Sequence, residues 1–244
     1  MHASLPMYDF PHMRAATDRF WQAIRAALGD GPEALTRDGD VWAAWEHPDL
    51  FFSQTCGLPY RGRLHGRVAL IGTPDYGLPG CGPGEYNSVF VVRMDDPRGT
   101  LEAFEGAPYA VNSATSQSGW AGPIVYARSK NVRFGENVKT GAHIRSAEAV
   151  ATGQADIAGL DALSWRFMQR EPGFDARLRV IDQTTPTPGL PYITALGRDP
   201  ARLFTALETA IAEIGAADRA ALSLHGLVRI DAAQYLAVPT PAPP

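Results

Sequence analysis

Between Asp95 and Thr194 the chain alternates short apolar runs with amphipathic stretches, and this alternation excludes most folds. Ala107 to Val111 reads as a strand, and the loop Asn112 to Ser116 leads into a helix beginning near Gln117. A short strand is predicted near Val132 to Phe134. A helix carrying Ile144, Ala147, Val150 and Ala151 then stops at Gly153. The strand Asp156 to Leu160, a helix from Ala162 to Arg170 and the strand Leu178 to Ile181 complete the block. Strands that alternate with helices pair in parallel through right-handed crossovers. The expected class is therefore α/β, with mostly parallel sheets flanked by helices.

The flanks repeat the pattern. A strand is predicted around Ala3 to Met7. A helix follows, with Pro11 near its first turn and Ala16, Phe20, Trp21, Ile24 and Leu28 on one face. Leu50 to Phe52, Arg67 to Gly72 and Ser88 to Arg93 read as strands, with a glycine- and proline-rich excursion from Thr73 to Gly84. Leu190 to Thr194 reads as a further strand. The helix after Pro200 has a buried stripe of Leu203, Phe204, Leu207, Ile211 and Ile214, and the end, Pro239 to Pro244, reads as a frayed tail. Extended connections near Arg93–Pro97 and Gln183–Leu190 bracket the middle block. They predict two lobes, one discontinuous (1–94 and 189–244) and one inserted (95–188), joined by a two-strand hinge of the kind that closes around a ligand.

Composition narrows the function. The 244 residues are 45% hydrophobic and 20% charged, enough for a core in each lobe. The formal charge of −4 argues against a nucleic-acid partner. The longest uncharged stretch, Gly106 to Ala127, holds too many Ser, Thr, Asn and Gln residues to span a bilayer, so the chain is not expected to be membrane-embedded. Met1 to Asp9 shows no secretory pattern. The expectation is a cytoplasmic protein as the sequence stands, or a periplasmic one if a leader has been removed. Cys56 and Cys81 are open to either a disulfide or two free thiols. His2, His12, His47, His65, His143 and His225 include no pair at i, i+4, so neither metal nor cofactor is expected, and the chain reads as a monomer.

The strongest local signal is the strand end at Asn112, followed by a hydroxyl-rich loop and a helix start. First-turn amides and the helix dipole make an anion seat, to which Ser116, Gln117, Ser118 and Gly119 contribute. The alternative is an ordinary capped helix. His143 lies between a strand end and a helix start, facing a ligand or serving structure. Asp161 follows a strand directly and either points into the same crevice or caps a helix. In the first lobe, Tyr8, Ser53, Gln54, Thr55 and Tyr76 lie on loops after strands, where α/β sheets bind ligands; each is also open to a packing role. A thiol enzyme using Cys56 with His65 or His143 stays as an alternative, though no local motif supports it.

Tyr86-Asn-Ser-Val-Phe-Val-Val-Arg-Met-Asp-Asp resembles the hinge strand of the phosphate/phosphite/phosphonate substrate-binding proteins of ABC transporters. Leu101 to Asn112, the Ser116-Gln-Ser-Gly loop, Thr140-Gly-Ala-His143 and Gly153-Gln-Ala-Asp-Ile-Ala continue the resemblance, and Leu5-Pro6-Met7-Tyr8 resembles the family's first strand end. The resemblance implies a type II periplasmic-binding fold, a phosphonate- or phosphate-like ligand at the helix start, an ABC permease as partner, and no catalysis. Ser116 and Ser118 carry over directly, and His143 matches the family's ligand-contacting histidine. A carboxylate in the region of Asp161 meets a ligand amine in related proteins. Gln117 departs from the hydroxyl residue common there, and an amide donates and accepts differently. A cytoplasmic ligand sensor and an enzyme of the thiamine-precursor-synthesis type are the alternatives on this fold.

Overall fold

Twelve strands and the helices between them build the protein in a computed structural model that describes residues 1–171 and 176–244. In chain order the strands are β1 (His2–Ala3), β2 (Leu50–Gln54), β3 (Val68–Asp75), β4 (Glu85–Tyr86), β5 (Ser88–Arg93) and β6 (Tyr109–Val111). They continue with β7 (Asn137–Lys139), β8 (Ile157–Asp161), β9 (Leu178–Gln183), β10 (Thr187–Pro188), β11 (Tyr192–Ala195) and β12 (Gly226–Val228). The chain divides into two compact units, Met1–Glu85 with Pro188–Ala237, and Tyr86–Thr187 with Val238–Pro244. Strand β5 thus belongs to the second unit, where it pairs with β8 and β9. The terminal residues belong there too: Trp120 Nε1 donates to the Ala242 carbonyl at 3.1 Å, so the expected frayed tail is held.

The first unit is built on a sheet of order β1-β2-β11-β3-β12. The helix Arg14–Leu28 buries Ala16, Thr17, Phe20, Trp21, Ile24 and Leu28, the face its spacing predicted. Each large apolar side chain removed from water there contributes about 1.5–3 kcal/mol. Trp21 stacks on Phe52 of β2 at 5.7 Å between centroids. Gly29 ends the helix in the left-handed region (φ 68°), where a Cβ would be strained. The helix Pro200–Glu213 packs against it, capped by Asp199, whose carboxylate accepts from the amides of Ala201 and Arg202. A second apolar cluster gathers Trp45, Leu50, Tyr60, Leu64, Val68, Ile193 and Tyr235.

The second unit has the order β7-β6-β8-β5-β9. Both sheets are mixed, which corrects the expectation that each is mostly parallel. Within these two sheets, among the described residues, β1–β2, β6–β7 and β6–β8 pair in parallel, while β11 with β2 and β3, β12 with β3, and β5 with β8 and β9 are antiparallel. Helix alternation dictates parallel pairing only for strands joined by a crossover helix, as β6, β7 and β8 are. The strand expected near Val132 is absent, and the pairing segment is β7. Val132 instead closes the end of the helix Gly122–Ser129: Asn131 takes φ 60°, and the Val132 amide returns to the Ala127 carbonyl at 2.8 Å. The first strand is also shorter than expected, because Pro6 has no N–H to give a ladder and opens a 3-10 turn, Pro6–Tyr8. No helix among the described residues is long and apolar enough to cross a membrane.

Candidate functional site

Strand β6 ends at Val111, and the loop that follows turns into a helical segment with a π-type first turn, Gln117–Ala121, continuing as the α-helix Gly122–Ser129. Ser116 is its N-cap. Its Oγ accepts from the Gly119 amide at 2.9 Å, which leaves the hydroxyl proton available to donate. Among the described residues the Ser118 amide donates to no protein acceptor. The turn is buried and carries no ionisable group. Its positive character is that of peptide dipoles alone.

Two contacts hold this turn in shape. Tyr109 donates its phenol to the Gly119 carbonyl at 2.9 Å and accepts from the Gly159 amide at 3.1 Å, bridging β6, the turn and β8. Burial pushes that phenol well above its ordinary pKa, so it acts as a neutral brace. Asn112 packs so closely that a Cβ on Gly119 would stand 1.8 Å from its Oδ1. Glycine is required there by contact, not by an unusual φ.

His143 opens the helix His143–Ala151, and its Nε2 lies 3.0 Å from Ser118 Oγ. Its Nδ1 is sealed from solvent and has no hydrogen-bond partner among the described residues. Burial lowers its pKa to about 4, so the ring is neutral at pH 7. Ser118 is therefore shared between the turn and a neutral imidazole, a pairing that lets the hydroxyl act as donor or acceptor. Asp161 ends β8, is almost fully buried, and caps the helix Ala162–Met168 through Oδ1, 2.7 Å from the Ser164 amide.

In the first unit, Gln54 ends β2 and its amide nitrogen donates to Tyr76 Oη and to the Leu190 carbonyl, both at 3.1 Å. Tyr8 meets Tyr76 edge to face at 5.6 Å. Burial, reinforced by Tyr76, raises the neighbouring Tyr192 phenol above its usual range. Tyr8, Gln54 and Tyr76 are thus brought together. Ser53 is not with them: it is fully buried in β2 and its Oγ pairs with Ser4 Oγ at 2.9 Å. Strand β2 is buried along its whole length, so alternation gives no sign of which way Ser53 faces. Sequence reasoning missed Tyr109 and Asn112, whose roles depend on contacts to Gly119 that spacing does not reveal.

Both cysteines are free thiols. Burial, with Glu85 and Asp75 nearby, pushes Cys81 up to about 11, so it stays protonated at neutral pH. Among the described residues no group of three or more His, Cys, Asp or Glu side chains is arranged to hold a metal.

A family model described as "ABC transporter, phosphonate, periplasmic substrate-binding protein" matches residues 63–235. No curated protein matches the sequence. Among solved structures, PhnD1 from Prochlorococcus marinus (MIT 9301), in complex with methylphosphonate, is similar at a TM-score of 0.76 and 15% identity, covering 96% of this chain and 94% of that one. The binding-protein component PA3383 of an ABC phosphonate transporter from Pseudomonas aeruginosa gives 0.73 at 17% identity, covering 96% and 82%. XAC2383 from Xanthomonas citri, bound to chloride ion, gives 0.70 at 16% identity, covering 96% and 92%. At such identities the likeness establishes the fold, that of type II periplasmic binding proteins.

Proposed function

Since the chain belongs to the periplasmic substrate-binding proteins of phosphonate ABC transporters, we propose that it captures a small phosphonate- or phosphate-like anion and delivers it to an ABC permease. The Ser116–Gly119 turn takes the charged group through the Ser118 amide and the two serine hydroxyls, with His143 beside Ser118. Tyr8, Gln54 and Tyr76, gathered in the first unit, are further contacts assigned to the ligand in this reading. Family membership favours the periplasmic alternative over the cytoplasmic one, and a binding protein over an enzyme.

The observation that carries this reading is the buried, uncharged turn whose donors are only partly used within the protein. Such donors accept an anion without a fixed counter-charge, and each charge-assisted hydrogen bond is worth about 1.5–3 kcal/mol. Replacing Ser116 or Ser118 by Ala is therefore expected to weaken methylphosphonate binding by about 1–2 kcal/mol each, measured by calorimetric titration. Ser116→Ala also removes the cap, costing about 1 kcal/mol of stability, whereas Ser118→Ala does not. A double variant with wild-type affinity would remove the site from this turn.

A further inference from the structure

Residues 238–244, Val-Pro-Thr-Pro-Ala-Pro-Pro, belong to the second unit, although the chain reaches them from a helix of the first. Every residue from Val238 to Pro243 is either a proline or is followed by one. The pyrrolidine ring fixes φ at about −65° and bars the preceding residue from helical backbone, so such a run is pre-set to polyproline II. Burial follows the three-residue turn of that helix. Val238, Pro241 and Pro244 are half-buried, while Pro239, Thr240, Ala242 and Pro243 are exposed. One face of the segment thus lies on the protein, and the other two face water.

On the protein side stands Trp120, whose indole N–H donates to the Ala242 carbonyl at 3.1 Å. The residue is 6% exposed. Polyproline II makes no internal hydrogen bonds, so its carbonyls are free for such a donor, and its rings pack against aromatic surfaces. Trp120 also lines a cavity of about 550 Å³ whose other apolar walls are Ile124, Val132 and Phe134. No residue of the segment lines that cavity, so the aromatic surface continues beyond it.

We propose that the Trp120 face of the second unit is a recognition groove for proline-rich segments in polyproline II form, occupied in cis by residues 238–244 as a releasable strap. The groove supplies an apolar wall and an indole donor. The segment supplies pre-set rings and carbonyls, so little entropy is lost on docking. Four of its seven residues are exposed, which places the strap among the parts that open locally at small free-energy cost. Trp120 belongs to the turn Gln117–Ala121, so the docked strap also steadies Ser118 and Gly119 beside it. An effect on anion binding rests on the function proposed above; the groove itself does not.

The test compares wild type, a variant lacking residues 238–244, and Trp120→Phe, with the peptide Val-Pro-Thr-Pro-Ala-Pro-Pro, blocked at both ends, as probe. The readout is the Trp120 indole N–H resonance, one of five in the protein, assigned by its loss in Trp120→Phe. In the shortened variant the peptide is expected to shift this resonance saturably, and in wild type not at all, because the groove is filled. A peptide with alanine at every proline position is expected to bind at least about tenfold more weakly. Trp120→Phe keeps a ring but no N–H; with the strap present, its Thr240 and Ala242 amides are expected to gain the fast motion of a free chain, read by heteronuclear NOE. Removing the strap is expected to weaken methylphosphonate binding about three- to tenfold, and saturating peptide to restore it. No shift in the shortened variant, an equal shift in wild type, or equal affinity for the alanine peptide overturns the groove. So does a strap as ordered in Trp120→Phe as in wild type, a result that stands even if the shortened variant does not fold. Unchanged methylphosphonate affinity without the strap overturns its hold on the turn. Wild type that binds no methylphosphonate removes the proposed function and leaves the groove to be decided by the peptide.

Discussion

Gly119→Ala is expected to weaken methylphosphonate binding about a hundredfold and to lower stability by about 1–3 kcal/mol. The added methyl carbon would lie 1.8 Å from Asn112 Oδ1, far inside van der Waals contact. Either Asn112 swings away, breaking the 2.9 Å bond it accepts from the Ser113 amide, or the turn retreats. Retreat would also disturb the bond from the Gly119 amide to Ser116 and the one from Tyr109 to the Gly119 carbonyl. The donors proposed to hold the anion are positioned by those bonds, so affinity falls together with stability. Titration and chemical denaturation separate the two effects. Adding Asn112→Ala relieves the clash and is expected to return most of the stability. Gly119→Ala binding within threefold of wild type would show that the turn is not the anion seat.

Acid sensitivity is the second large effect. His143 is held near pKa 4 in the folded protein by burial, against about 6.5 in the unfolded chain. The unfolded state therefore binds the extra proton first, and stability rises with pH between these values. The contribution is fully present above about pH 6.5 and is lost as pH falls towards 4, roughly 3 kcal/mol in all. Charged groups on the helix itself, Arg145 and Glu148, do not shift the ring. Nor do those on the strands it packs against, Arg93, Asp161, Arg179 and Asp182; burial is the sole cause. His143→Gln is expected to flatten this dependence, read from urea denaturation at pH 7 and pH 4.5. His2, whose pKa is also lowered by burial, remains in both proteins, so the difference isolates His143. An unchanged pH profile in the variant would mean that the ring titrates freely.

How much of this could be read from the sequence depended on whether a residue's task is local. The buried face of the helix Arg14–Leu28 was legible because helical spacing alone defines it, and the stripe of Pro200–Glu213 likewise. The strand-to-helix turn at Ser116 was legible because Ser, Gly and a preceding apolar run mark such a junction chemically. Strand direction was not, since β5 and β9 reach their neighbours without an intervening crossover helix. Ser53 was nominated for the ligand but pairs with Ser4, a partner distant in sequence. Asp161 was open between crevice and cap, and its carboxylate does cap a helix. The brace formed by Tyr109 depends on β8 lying beside β6, a fact of topology that precedes any motif.

The placement of β11 has a consequence for how the chain assembles. In the first unit's sheet it lies between β2 and β3, so those two early strands meet no partner across that gap until residues 192–195 exist. The other sheet's strands all fall within residues 88–183, one unbroken stretch with mostly short loops to close. During synthesis the sheet of the later-begun body therefore has all its strands first, while the sheet of the earlier-begun one waits with open edges exposed to wrong partners. The strand made near the end decides whether those made near the beginning ever join a finished sheet.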